Sequence, residues 1–132
     1  MNDNRAHARA WLAKAENDLV AARRLLAADG PFDAVCFHAQ QACEKALKAV
    51  LALADQEIPR THNLAALQAC CIALLQETAA AALGSLDIAV LTPYAIEARY
   101  DAEFQPDRQA AADACAVAEQ VMSLIPPLLV EP

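Results

Sequence analysis

Glycine occurs only twice in these 132 residues, and the aromatic residues are limited to one tryptophan, two tyrosines and three phenylalanines. So little turn glycine and so few strand-forming side chains leave no material for a hairpin-rich or sheet-based fold. Long apolar runs are also missing. Although 58% of the residues are hydrophobic, that share rests heavily on alanine, and uninterrupted runs fall far short of the roughly 20 residues a bilayer-spanning helix needs. A soluble chain with no membrane segment is expected. Basic charge is in deficit: ten Lys and Arg stand against 17 Asp and Glu, a net charge of −7. That balance argues against sequence-independent nucleic-acid binding by the whole surface and confines any phosphate contact to a local cluster.

Other absences bound the compartment and the chemistry. Met1 to Ala10 mixes Asp3, Arg5, His7 and Arg9 with alanines, so it lacks the basic start and apolar core of a secretory signal. No Cys-x-x-Cys or paired Cys/His ligand spacing occurs, so neither a structural zinc site nor any other metal or cofactor is expected. The five cysteines are odd in number, Cys70 and Cys71 are adjacent, and Cys36, Cys43 and Cys115 fall on or beside apolar stripes. Small buried thiols in a reducing, cytoplasmic location suit that pattern better than disulfides.

What the chain does have is helix formers: Ala, Leu, Glu, Gln, Lys and Arg, in five segments with no repeat and no low-complexity linker. The expectation is one domain over residues 1–132, all-α, an antiparallel up-and-down bundle of four main helices plus one shorter or broken one. The first helix runs from Asn4 to Ala28, with Trp11, Leu12, Ala15, Leu19, Ala22, Leu25 and Leu26 as its stripe, and stops at Asp29-Gly30-Pro31 through a glycine terminator. The second starts near Asp33, read as its N-cap, and ends at Ala54. The third is capped by Thr61 or Asn63, with Leu64, Leu67, Cys71, Leu74 and Leu75 inward. The fourth spans Ser85 or Leu86 to Tyr100, bent by Pro93 or truly starting there, with Ile88, Leu91, Ala95 and Ala98 on one side. The fifth opens at Pro106-Asp107, buries Ala111, Ala114, Cys115, Ala118, Val121, Met122 and Ile125, and ends at Pro126-Pro127.

The second helix carries the strongest signal. At about 100° per residue, His38, Gln41, Lys45 and Lys48 fall on one side, opposite Val35, Ala39, Cys43, Ala46, Val50 and Leu53. That is a core face opposed to a face able to hold an anion, or else a solvated face carrying an i,i+4 Glu44–Lys48 pair. Asp18 violates the apolar pattern of the first helix, and a buried carboxylate needs a partner. His38, Lys45 and Arg99 are the available cations, and the pairing either fixes packing or orients a cation used on a ligand. Arg99-Tyr100 closes the fourth helix, where a guanidinium complements the helix end and can grip phosphate. His62 sits before a helix start, suited to a cap or to an anion near the dipole, and His7 carries no special weight.

Taken together, Ala15-x-x-Asp18-Leu19-x-x-Ala22, the run from Phe37-His38-Ala39-Gln40-Gln41-Ala42-Cys43-Glu44-Lys45-Ala46-Leu47-Lys48-Ala49, then Thr61-His62-Asn63-Leu64 and Glu97-Ala98-Arg99-Tyr100, resemble a HEPN domain over nearly the whole chain. The second-helix run is the specific part. The resemblance implies a bundle of four to five helices, homodimerisation, nucleotide binding, and pairing with a small nucleotidyltransferase in toxin–antitoxin arrangements. It places Asp18, His38, Gln41, Lys45, His62, Arg99 and Tyr100 in characteristic positions. Ribonuclease members carry an Arg followed by four to six residues and then His, a pair suited to activating a ribose hydroxyl and stabilising phosphorane charge. Here no histidine follows His62, and Arg60–His62 and Arg5–His7 are too close. Asp101 also stands where the family often has proline.

Three functional readings follow. The preferred one is a non-catalytic module binding a nucleotide or a nucleotidyltransferase partner, with Lys45, Lys48, Arg99 and Tyr100 beside His38 and Gln41, supported by Asp18 and His62. The second is a metal-independent ribonuclease toxin in which His38 or His62 replaces the missing histidine. The third is a structural or dimerisation protein with no ligand.

Overall fold

The computed structural model describes residues 3–129, all its regular structure being helical. The helices are α1 (Asp3–Ala27), α2 (Phe32–Leu53), α3 (Leu64–Ile72), α4 (Glu77–Gly84), α5 (Tyr94–Tyr100) and α6 (Arg108–Leu128), with a 3-10 turn at Ala89–Leu91. Among these described residues no single helix is long and apolar enough to cross a membrane.

α2 is the axis of the bundle. Of its 22 residues 14 are buried, because α1, α3, α5 and α6 all pack against it. Alanines at 39, 42, 46 and 49, all fully buried, let those neighbours approach closely, and Leu47, Leu19, Leu64 and Leu67 fill the spaces between. α1 runs antiparallel to two neighbours. Asp18 meets His38 and Lys45 while Trp11 meets Lys48 of α2, and Arg23 meets Glu119 while Asp29 meets Arg108 of α6. α2 and α6 are therefore parallel, and α3 to α5 carry the chain back between them. The stripe expected for α6 is buried in full, from Ala111 to Ile125.

Several boundaries differ from the sequence expectation. Phe32 opens α2 directly after Pro31, so Asp33 lies inside the first turn, its carboxylate taking only the N–H of Ala34 at 2.9 Å and capping nothing. α1 ends in a paired-carbonyl motif, Gly30 N–H to Leu25 O at 2.8 Å and Asp29 N–H to Leu26 O at 3.1 Å, in which the left-handed residue is Asp29 (φ 68°), not the glycine. Gly30 follows at φ 119°, a conformation closed to residues with a Cβ. α2 ends the same way on Asp55, φ 57°. Asn63 caps α3, accepting from Ala66 N–H at 3.1 Å, and α3 stops at Ile72, so Leu74 is 41% exposed.

The fourth helix expected from Ser85 or Leu86 to Tyr100 resolves into two pieces, the 3-10 turn and α5, and a further short helix that the sequence pattern did not separate, α4, precedes them. Ser85 closes α4, the 3-10 turn follows, and Pro93, which cannot donate to a preceding turn, stands before α5. Ile88, Leu91 and Ala95 are nevertheless buried together, because the two short pieces keep one side toward α2. α6 continues through Pro126 and Pro127 to Leu128. Two missing N–H groups in a last turn withdraw two rungs and leave nothing after them to disrupt.

Candidate functional site

Two buried carboxylates organise the polar residues of α2. Asp18, 8% exposed on α1, faces His38 Nδ1 at 2.8 Å through one oxygen and accepts from Lys45 Nζ at 2.6 Å through the other. Two of the three cations expected near it are thus its partners, and Arg99 is not. Burial by itself raises the Asp18 carboxyl, but the hydrogen bonds from His38 and Lys45 and the Lys45 charge outweigh it and hold the group below the ordinary carboxylate range.

Glu44 is the second centre. Its carboxylate takes His62 Nδ1 at 2.7 Å, Gln40 Nε2 at 3.1 Å and Lys48 Nζ at 3.0 Å. Burial again pushes upward, and the three partners, His62 foremost, carry the net shift below the ordinary value. The Glu44–Lys48 pair is therefore interior: Lys48 is 7% exposed and its ammonium lies 5.5 Å from the centre of the Trp11 ring. His62 does not cap α3; it ties the α2–α3 connection back to α2.

Gln40 is fully buried and extends this second centre. Its amide nitrogen reaches both Glu44 and the His62 carbonyl, and its oxygen accepts from Gln41 Nε2 at 2.7 Å. Gln40 and Glu44 belong to this polar cluster but were not among the candidate site residues read from the sequence, where Glu44 entered only as the partner of Lys48. The i, i+4, i+8 spacing of Gln40, Glu44 and Lys48 was their only signal, and an open helix face would show the same spacing.

Arg99 and Tyr100 close α5 on the same side of α2. The Arg99 guanidinium lies 5.1 Å from the Phe37 ring centre and 5.0 Å from that of Tyr100, and its Nε donates to Ala95 O at 2.9 Å. Among the described residues it makes no ion pair, so its charge is not compensated by a carboxylate. Phe37 in turn meets His38 edge-on. The structure thus gathers His38, Gln41 and Lys45 along α2, with Asp18 behind them and Arg99 and Tyr100 at one end; Lys48 and His62 belong to the interior Glu44 centre. His7 accepts from the Trp11 indole at 3.1 Å.

The thiols lie apart from this strip in chemistry. Burial pushes Cys36 to about 11 and both Cys43 and Cys71 to about 12, so none is a ready nucleophile. Among the described residues no three His, Cys, Asp or Glu side chains converge in a way that would hold a metal ion.

A family model described as HEPN domain matches residues 8–127. No curated protein matches the chain. Among solved structures it is similar to TT1696 from Thermus thermophilus, with 28% identity, 98% of this chain and 100% of the other covered, and a TM-score of 0.68.

Proposed function

Because the chain belongs to the HEPN domain family, we propose that it is a non-catalytic HEPN module that binds a nucleotide through the strip of His38, Gln41, Lys45 and Arg99. The observation that carries this reading is Arg99. A guanidinium held over the rings of Phe37 and Tyr100, with no carboxylate among the described residues taking up its charge, is a preorganised anion contact. Lys45 adds a second cation, shared with Asp18. Lys48 serves the interior, since leaving Glu44 would strand both charges.

A protein partner fits the adjoining surface. Val90, Ile96 and Tyr100 are 53%, 52% and 72% exposed around α5, an apolar face of the kind that a second copy of the chain or a nucleotidyltransferase covers. In a toxin–antitoxin type pairing, that contact would place the partner beside the nucleotide strip.

Isothermal titration with ATP and GTP tests the reading, with Arg99→Ala and Lys45→Ala alongside and thermal melts as folding controls. Saturable binding weakened at least tenfold in both variants is expected. Absence of heat with every nucleotide removes the nucleotide and leaves the protein partner. One observation favours a second reading, ribonuclease activity: a carboxylate holding Nδ1 leaves His38 Nε2 arranged as a general base. RNA degradation by the purified protein that is lost in both His38→Ala and Arg99→Ala would replace the non-catalytic reading.

A further inference from the structure

An ionised carboxylate only accepts hydrogen bonds, so each group facing one must donate. His38 faces Asp18 with Nδ1, and Asp18 is already neutralised by Lys45. The proton of a neutral His38 therefore sits on Nδ1, and Nε2 is left as a bare acceptor. The same logic passes outward from Glu44 through two side chains. Gln40 must turn its NH2 toward the Glu44 oxygen and the His62 carbonyl, which are both acceptors. Its own oxygen then points the other way, and Gln41 must meet it with NH2. That leaves the Gln41 carbonyl Oε1 with no protein partner among the described residues. Gln41 and His38 are three residues apart on one helix and so are neighbours on its surface.

We propose that the two buried carboxylates set the hydrogen-bond polarity of the strip. Gln41 Oε1 and His38 Nε2 face outward as acceptors and select nucleotides whose base edge carries N–H donors, guanine first among them. The inference rests on the nucleotide reading given above and specifies the base. Guanine offers a ring N–H beside an exocyclic amino group, and hypoxanthine has the same ring without the amino group. Adenine has one amino group beside a bare ring nitrogen, and uracil has one N–H between two carbonyl oxygens, which would oppose both acceptors. Arg99, the donor at the Phe37 end of the strip, is left for the phosphate. Gln40 and Glu44 act as positioning residues that touch no ligand.

Titrations with GMP, IMP and UMP at pH 8 test this. GMP should bind about five- to tenfold more tightly than IMP, the worth of one hydrogen bond at a half-buried site, and UMP more weakly than either. In Gln41→Leu the GMP-to-IMP ratio should fall to near one. Gln40→Leu, where it folds, should do the same through the freed Gln41 amide; where it does not, Gln41→Leu decides. Equal binding of all three nucleotides would overturn the inference and leave the nucleotide module standing, whereas no binding by any of them removes both. Long-range 1H–15N spectra of the imidazoles need no ligand: His38 should carry its proton on Nδ1, and a proton on Nε2 would overturn the proposed polarity.

Discussion

Glu44 and Lys48, one helical turn apart on α2, form an ion pair of 3.0 Å in which the glutamate is 4% and the lysine 7% exposed. An i,i+4 pair on a wet helix contributes a few tenths of a kcal/mol. Inside a bundle its members are interdependent, since removing one leaves the other charged, desolvated and without its counter-ion.

Glu44→Ala is therefore expected to destabilise the protein by about 3–5 kcal/mol, read as a fall in urea midpoint. The double variant Glu44→Leu, Lys48→Met should recover much of that loss, because it removes both charges and keeps the volume. A double variant as unstable as the single one would show that Glu44 acts mainly through His62 and Gln40.

Acid should act through the same two centres. Asp18 and Glu44 both titrate below their ordinary values when folded. Each therefore contributes stability that is fully present above the unfolded carboxylate value, about pH 4, and is lost as pH falls through the folded one. Urea midpoints measured from pH 7 down to pH 2 should drop steeply below about pH 4. Asp18→Asn should be less stable at pH 7 and show a shallower drop. An equal slope in the variant would mean that other carboxylates dominate.

Cysteine labelling separates exposed from buried thiols. Cys70 is exposed, whereas Cys36, Cys43, Cys71 and Cys115 are buried, with burial pushing each of those four thiols upward. Iodoacetamide on the native protein at pH 8 should modify Cys70 first, and the other four only after denaturant is added, as mass mapping would show. Early modification of Cys43 would mean that α2 opens locally.

Asp55 occupies a left-handed conformation, φ 57°, at an exposed helix end. Glycine meets that conformation without steric cost, so Asp55→Gly should raise stability by about 0.5–1 kcal/mol. A thermal melt reads it directly. Asp29→Gly, at the matching position of α1, should yield less because it also removes the exposed pair with Arg108.

The sequence alone determined that the chain is helical, where most helices run, which stripe of α6 is buried, and that Asp18 needs a cationic partner, from the second helix or from Arg99. Those features depend on spacing within one helix or on the cost of one misplaced charge, and both can be read locally. Tertiary structure decided the rest. Whether the polar row of α2 faced water or protein depended on four other helices enclosing it, and periodicity along α2 cannot count its neighbours. That enclosure turned Lys48 inward, made Glu44 a hub, and brought His62 from a distant connection onto it. It also gave both Asp18 oxygens to His38 and Lys45 and set Arg99 against the rings of Phe37 and Tyr100. The hydrogen-bond direction of Gln41 was beyond the sequence altogether, since it is inherited through Gln40 from a carboxylate that only packing buries.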